Sequence, residues 1–374
     1  MQWLKKFKDA GKLLSTTFKQ PRGIVFGGDP CLLPLKGSWC LYHTYGPTLT
    51  RPGNSPGIYS FSLAGGALTT TDWNFHGISL RPGIAGPQIA DLGGCETFSA
   101  MLVMEDLLIA LYHGYGTGAK ASRGNYVVIA HAHPDDPTRW QKYGHVVEQE
   151  DLMRADPRLQ MISNMSEPGI IKAEISPGIE IYIGCVAVEG AHTSDTPPSP
   201  CNPLGGKKGM AWRTYIMASV NLVDWHIDGE NIILPPHSYS SGSGPNSETH
   251  PCLAVHDGFV HLLTTHSGNW NDSTSTQWGR RGIRHRASPV GWPLEFAQNP
   301  EFENGLIMER NPDDVAPDGG QIGGPSLVFH GSEIAMAYHA DNRWRAENGG
   351  PAVKDAIAAS ETQGRPHIRL ARMT

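Results

Sequence analysis

Short apolar runs separated by turn residues recur along the chain and indicate β-strands. The clearest example lies at residues 28–43, where one apolar run ends at a Lys36-Gly37 turn and a second run ends in His43. This pattern predicts an antiparallel hairpin. Because the two strands of a hairpin run in opposite directions, the start of the first and the end of the second lie at one edge. We therefore expect Asp29 and His43 to lie near each other.

The hairpin pattern returns four more times. Each copy begins with a polar residue and closes with a histidine or, once, a cysteine, at a nearly constant spacing. The leading residues are Asp29, Glu96, Glu167, Glu248 and Gln321, and the closing residues are His43, His113, Cys185, His266 and His339. A third strand follows each hairpin, and in four copies a tryptophan comes after it, as in residues 214–225. Internal repetition of this kind indicates an array of similar structural units.

The repeat predicts an all-β, five-bladed β-propeller over residues 22–374, because four-stranded antiparallel units arranged around a channel protect most of their edges. The blades are predicted at residues 22–85, 86–155, 156–240, 241–310 and 311–374. The last copy stops after three strands, and we expect a strand near residues 23–27 to complete it. Long loops leave the edge where the polar residues gather, which favours a closed pocket and exo action on a short substrate. These loops are residues 189–209, 269–281 and 341–363.

Residues 1–21 differ from the repeat. Lysines are interleaved there with apolar residues such as Trp3, Leu4 and Phe7, a spacing that predicts a short amphipathic helical extension packed on its own domain. A homo-oligomer contact through this extension is a further expectation. The sequence shows no signal-peptide core and no stretch long enough to span a bilayer. We therefore expect a cytoplasmic protein with no membrane partner.

Composition agrees with many short strands joined by turns, since the chain has 44 glycines, 29 prolines and only 18% charged residues. The net charge of −6 provides no basic field, which argues against nucleic acid as a partner. The six cysteines show no CxxC spacing, and several lie in apolar runs where a free thiol behaves as a small core residue.

A radial arrangement would bring equivalent residues of the five copies to one axis. The leading residues would form a ring at one end of the channel, with the closing histidines just outside it. For any single residue a structural role is the simpler interpretation, because an aspartate before proline is typical of turns. Four carboxylates at equivalent positions are harder to explain in this way, since their repulsion and desolvation would move pKa values apart, as at catalytic sites.

Three segments resemble the five-bladed propeller glycoside hydrolases of family 43 and the related families 32, 68 and 117. They are Gly28-Asp29-Pro30 with its Lys-Gly turn, Ser247-Glu248-Thr249-His250-Pro251 with His256-Asp257-Gly258, and Ala218-Ser219 through Trp225. The resemblance covers nearly the whole chain from residue 22. It implies a glycosidase that acts on a short oligosaccharide or glycoside at the propeller mouth.

Carried over by position, the resemblance implies three catalytic residues. Asp29 would be the base or nucleophile, Glu167 would hold the substrate and tune pKa values, and Glu248 would be the general acid with a raised pKa. Family 43 implies inversion at the anomeric centre, which we favour, whereas the fructosidases imply retention. Glu167 stands where the family has aspartate, and the fructosidase motifs are absent, which argues against sucrose-type substrates.

Further substrate contacts are expected from polar and aromatic side chains around the channel. The candidates are Glu96, Gln321, Trp270, Trp278, Trp344, His43, His113, His266 and His339. Glycoside cleavage by carboxylates requires no cofactor. A structural divalent cation, calcium, is compatible with an oxygen-rich ring.

Two other classes of function stay open. The four histidines His43, His113, His266 and His339 could together bind a metal ion. That would imply a metal-dependent lyase or oxidoreductase. A propeller that binds carbohydrate without cleaving it is the third class, and the presence of acids at all three carried-over positions argues against it.

Overall fold

The computed structural model describes residues 3–13, 24–47, 57–83, 91, 93–115, 125–236, 247–268, 280–309, 321–341 and 367–374. These residues contain 21 β-strands and one α-helix. Consecutive strands pair antiparallel into four-stranded units, which we call blades. Blade one contains β2 (Ile24–Leu35), β3 (Ser38–Pro47), β4 (Gly57–Ala64) and β5 (Asn74–Leu80). Blade two contains β6 (Gly94–Met104), β7 (Leu107–Tyr115), β8 (Asn125–Ala132) and β9 (Gln141–Val147).

The helix α1 (Gln149–Ala155) joins blades two and three. Blade three contains β10 (Leu159–Ser176), β11 (Ile179–His192), β12 (Gly209–Ser219) and β13 (His226–Ile233). Blade four contains β14 (Ser247–His256), β15 (Phe259–Gly268) and β16 (Arg280–Pro289), with two short outer strands, β17 (Ala297–Gln298) and β18 (Leu306–Glu309). A single parallel bridge between Trp212 and Ser247 joins the sheets of these two blades. The other strand pairs described in these two blades are antiparallel and lie within one blade.

Blade five is closed by strands from both ends of the chain. It contains β19 (Gln321–His330), β20 (Glu333–Asp341), β21 (His367–Met373) and β1 (Phe7–Lys12). The strand β1 pairs antiparallel with β21, so it supplies the fourth strand that the last repeat lacks. The predicted amphipathic helix is therefore wrong for residues 7–12. The expected closing strand near residues 23–27 is also wrong, because those residues contribute to β2 of blade one.

The blades form a closed ring, as the repeat predicts. Their first strands contact one another in the cyclic order β2, β6, β10, β14, β19 and back to β2. The buried apolar side chains of the described residues form five clusters, and each cluster fills the space between two adjacent blades. Neighbouring residues of one strand belong to different clusters, since Leu32 packs toward blade five and Leu33 toward blade two. Each blade is thus buried on both faces, which is the packing of a β-propeller.

The repeated tryptophans stabilise turns. The indole N–H of Trp225 donates a hydrogen bond to the Leu222 carbonyl oxygen at 3.1 Å, and Trp140 makes the equivalent bond to Pro137 at 3.0 Å. All six cysteines are free. Within the described residues, no helix is long and apolar enough to cross a membrane.

Candidate active site

Each first strand of a blade contains a bulge at the same place. At each bulge one residue has a positive φ angle: 51° at Asp29, 47° at Thr97, 59° at Glu167, 47° at His250 and 55° at Gly324. A β-bulge re-aims the side chain of its strand and is common beside active sites. These five residues line one cavity on the propeller axis, together with the residues that follow them. The bulges therefore define the ring of equivalent positions.

The sequence predicts this ring correctly in two blades and incorrectly in three. Asp29 and Glu167 do occupy it. In blades two, four and five the ring positions are held by Thr97, His250 and Gly324, whereas Glu96, Glu248 and Gln321 were expected. In these three blades, the spacing back from the closing residue points to a residue that lies one to three positions before the ring residue. A better signal was present in the sequence, because proline follows the ring residue in four of the five blades.

Three ionisable side chains converge at the ring. The Nε2 atom of His250 lies 3.1 Å from Oδ1 of Asp29 and 3.1 Å from Oε1 of Glu167. The backbone N–H of His250 also donates a hydrogen bond to Oε2 of Glu167 at 2.5 Å. Because both oxygens contact the same nitrogen atom, Asp29 Oδ1 and Glu167 Oε1 lie at most twice this 3.1 Å distance apart. His250 was not among the predicted site residues, and it joins the two predicted carboxylates into one cluster.

His339 extends the cluster on the side of blade five. Its Nδ1 atom lies 3.6 Å from Oδ1 of Asp29, and its ring meets that of His250 edge to face at 5.4 Å between centroids. Burial alone would raise the pKa of Asp29, but the charges of His250 and His339 and a hydrogen bond from the Thr44 hydroxyl outweigh it. The pKa of Asp29 is consequently lowered, and this carboxylate is ionised at neutral pH.

Glu248 lies in a different environment from the one expected. It is fully buried and does not contribute to the central cavity. Its carboxylate accepts hydrogen bonds from Thr264 Oγ1 at 2.6 Å and from the Arg284 guanidinium, and it pairs with Arg286 at 3.4 Å and His266 at 3.0 Å. Burial acts to raise the pKa of Glu248, but Arg284, Arg286 and His266 together outweigh burial, so the pKa is lowered. The predicted raised pKa is therefore wrong, and Glu248 is a structural carboxylate that is ionised at neutral pH.

Three of the four predicted ring histidines lie apart from the cluster. His43, His113 and His266 are each 1% exposed. Burial lowers the pKa of each of them to about 4, so all three are neutral at neutral pH, although the Asp29 charge acts to raise the values of His43 and His113. His43 stacks on Phe61 and hydrogen-bonds the Thr44 carbonyl oxygen through Nδ1 at 2.9 Å.

The metal-site hypothesis for the four histidines is not supported by their arrangement. Across the described part of the chain, no group of three or more His, Cys, Asp or Glu side chains is placed to hold a metal ion.

Glu96 is partly buried and lies opposite His113 in the strand register. Gln321 begins β19. The predicted contacts Trp270, Trp278 and Trp344 lie outside the described residues.

Comparison with known proteins supports the fold. No protein family and no curated protein matches the sequence. Among solved structures, a complex of BT0996 with RGII superposes with a TM-score of 0.64 at 10% identity, covering 98% of this protein and 92% of that one. The α-L-arabinofuranosidase PaAbf62A of Podospora anserina, solved with cellotriose, gives 0.55 at 10% identity over 99% and 97%. The Bombyx mori family 32 β-fructofuranosidase gives 0.52 at 14% identity over 92% and 59%. The protein therefore has the β-propeller fold found in glycoside hydrolases.

Proposed function

We propose that the protein is a glycoside hydrolase that cleaves a short oligosaccharide or glycoside in the central cavity. The observation that carries the proposal is the cluster of Asp29, Glu167 and His250 on the propeller axis. Glycoside cleavage needs an ionised carboxylate and a proton donor on opposite sides of the bond that breaks. The cluster holds both kinds of group in one cavity, and a sugar that enters between them replaces the 3.1 Å contact of His250 Nε2 with Asp29 Oδ1. The fold shared with glycosidases agrees with this chemistry.

The electrostatics of the cluster indicate a role for each residue. Asp29 is ionised and can accept a proton from the water that attacks the anomeric carbon. The His250 ring lies between two carboxylates that stabilise its protonated form, and it can give that proton to the departing glycosidic oxygen. The Glu167 carboxylate contacts the His250 ring through Oε1 and accepts the His250 backbone N–H through Oε2. Histidine therefore replaces Glu248 as the proton donor in the proposed mechanism.

The remaining predicted contacts are retained as proposals. Glu96 and Gln321 would bind sugar hydroxyls, and Trp270, Trp278 and Trp344 would stack on sugar rings. His339 borders the cluster and is the histidine best placed to contact a substrate. A structural calcium ion is proposed as compatible with the reaction and not required for it. Including a chelator in the substrate screen tests that requirement directly.

Substitution of the cluster should abolish activity without unfolding the protein. A screen of nitrophenyl glycosides and oligosaccharides, with and without chelator, identifies the substrate. On that substrate, Asp29→Asn and His250→Gln should each lower kcat by roughly 10²- to 10⁴-fold, the usual contribution of a general acid or base. The exposed residues Asp106 and His133 provide matched controls, as Asp106→Asn and His133→Gln should keep wild-type kcat. Full activity of Asp29→Asn would contradict the proposal.

We further propose that the reaction inverts the anomeric centre, as in family 43, with Asp29 as the base. The resemblance of the Asp29 hairpin to that family supports this choice. Proton NMR of the first sugar released should show the anomeric configuration opposite to that of the substrate. A first product with the substrate's configuration would instead assign Asp29 as a nucleophile.

A further inference from the structure

The bulged residues of the five blades are linked by hydrogen bonds that run around the channel. In each blade the backbone N–H of the bulged residue donates to a side chain of the preceding blade. The five bonds are Thr97 N to Thr44 Oγ1 at 2.8 Å, Glu167 N to Thr97 Oγ1 at 3.0 Å, His250 N to Glu167 Oε2 at 2.5 Å, Gly324 N to Thr265 Oγ1 at 3.0 Å, and Asp29 N to His339 Nδ1 at 3.5 Å. We call this set of bonds the belt. It connects every blade to the next at the level of the proposed active site.

Thr97 is an unusual member of the belt. Its φ angle of 47° lies in the left-handed region, where a β-branched side chain is strained. Glycine or asparagine would adopt this conformation at lower cost. Neither of them would place a hydroxyl where Thr97 Oγ1 accepts the Glu167 N–H. Strain held at such a position is often associated with a functional site.

Thr97 lies in the middle of a continuous path from one side of the cluster to the other. The Thr44 hydroxyl helps to lower the pKa of the Asp29 carboxylate and accepts the Thr97 N–H. The Thr97 hydroxyl in turn accepts the N–H of Glu167, whose carboxylate holds His250 at its backbone and its ring. The path therefore relates the position of Asp29 in blade one to that of His250 in blade four.

We propose that Thr97 is a positioning residue of the active site, whose hydroxyl fixes Glu167, and through it His250, relative to Asp29. This inference rests on the proposed function of the cluster. The Thr97 hydroxyl accepts its hydrogen bond from Glu167, so we expect it to act on the reaction through the position of Glu167. A displacement of about 1 Å between reacting groups can cost on the order of 100-fold in rate.

The direct test compares Thr97→Val with Thr97→Ser. Valine keeps the size and β-branching of threonine but cannot accept the Glu167 N–H, whereas serine keeps the hydroxyl. Thr97→Val should lower kcat by roughly 10- to 100-fold with little change in KM, and Thr97→Ser should stay near wild type. Ser288→Ala is the control, because it removes another buried hydroxyl that accepts a backbone N–H, that of Glu295 at 2.9 Å, in the outer part of blade four and away from the central cavity. It should lower the melting temperature about as much as Thr97→Val and leave kcat unchanged.

A second measurement does not depend on activity. The imidazole of His250 can be titrated by NMR, with its signal assigned by its loss in His250→Gln. Thr97→Val should shift the titration midpoint, since moving Glu167 changes the charge beside the ring, and Ser288→Ala should not. If the wild-type protein hydrolyses no sugar, the proposed function fails, but this titration still decides the role of Thr97. Unchanged kcat and an unchanged midpoint in Thr97→Val would overturn the inference.

Thr97→Gly covers the case in which the valine variant fails to fold. Glycine relieves the strain of the left-handed conformation and removes the hydroxyl at the same time. We expect this variant to fold and still to show the lowered kcat and the shifted His250 midpoint. Wild-type values for both in Thr97→Gly would assign Thr97 to structure alone.

Discussion

Glu248 and His250 lie two positions apart in β14, and the bulge in that strand gives them different roles. Glu248 precedes the bulge and points into a buried site with Arg284 and Arg286, where its charge is fully compensated. His250 lies at the bulge, where the positive φ angle turns it toward the channel. The expected general acid is therefore a structural residue, and the histidine that follows it takes the place at the ring. Local backbone geometry decides which of two nearby polar residues reaches the cavity.

Replacement of Glu248 should destabilise the fold. Glu248→Gln leaves two buried arginines without their carboxylate, which typically costs about 3–5 kcal/mol in the free energy of unfolding. The folded pKa of Glu248 lies below its ordinary value of 4.5, so its ionisation stabilises the fold above that pH, and this contribution is lost as the pH falls further. The difference in melting temperature between wild type and Glu248→Gln should therefore be large at neutral pH and shrink below pH 4.5. Thermal unfolding across this pH range measures it.

Glu105 provides the control for this prediction, since it lies exposed in the turn between β6 and β7. Glu105→Gln should change the melting temperature little at any pH. A Glu248→Gln protein that is as stable as wild type but inactive would contradict the structural role and restore Glu248 as the acid.

At the scale of elements, β1 shows how the same residues can suit two structures. A short segment in which lysines are interleaved with apolar residues can form an amphipathic helix, and it can also form a strand with one buried side. The outcome depends on β21, more than 350 residues away in sequence, whose free edge accepts β1 as a partner. Pairing covers that edge, which would otherwise be open to other chains. Sequence periodicity in the first residues carries no information about this partner.

Loss of the buried side of β1 should weaken ring closure. Phe7 is 5% exposed and packs in the cluster between blades four and five. Phe7→Ala should therefore lower the free energy of unfolding by about 3–5 kcal/mol. The neighbouring Lys8 is exposed on the same strand, and Lys8→Ala should be close to neutral. Chemical denaturation of both variants measures the difference, and equal stability would show that β1 contributes little to closure.

At the scale of the whole molecule, the ring explains how distant residues form one site. Asp29, Glu167 and His250 come from blades one, three and four, and each lies at the bulge of a first strand. Because five similar blades surround one axis, equivalent positions meet there regardless of their separation in sequence. The five apolar clusters between blades fix the spacing of the ring. The fold therefore brings charged groups together on a scaffold stabilised by apolar packing elsewhere.

The sequence alone determines most of the β-strands and the five repeats, because alternating burial and turn residues leave a local pattern in each copy. It also identifies Asp29 and Glu167, as the polar residues that lead their repeats. Only the tertiary structure decides which residue of blades two, four and five reaches the axis. A bulge shifts side chains by one position, and the partners of a buried charge come from other parts of the chain. For the same reason the pairing of β1, the burial of Glu248 among arginines and the contact of His250 with two carboxylates depend on contacts between residues far apart in sequence.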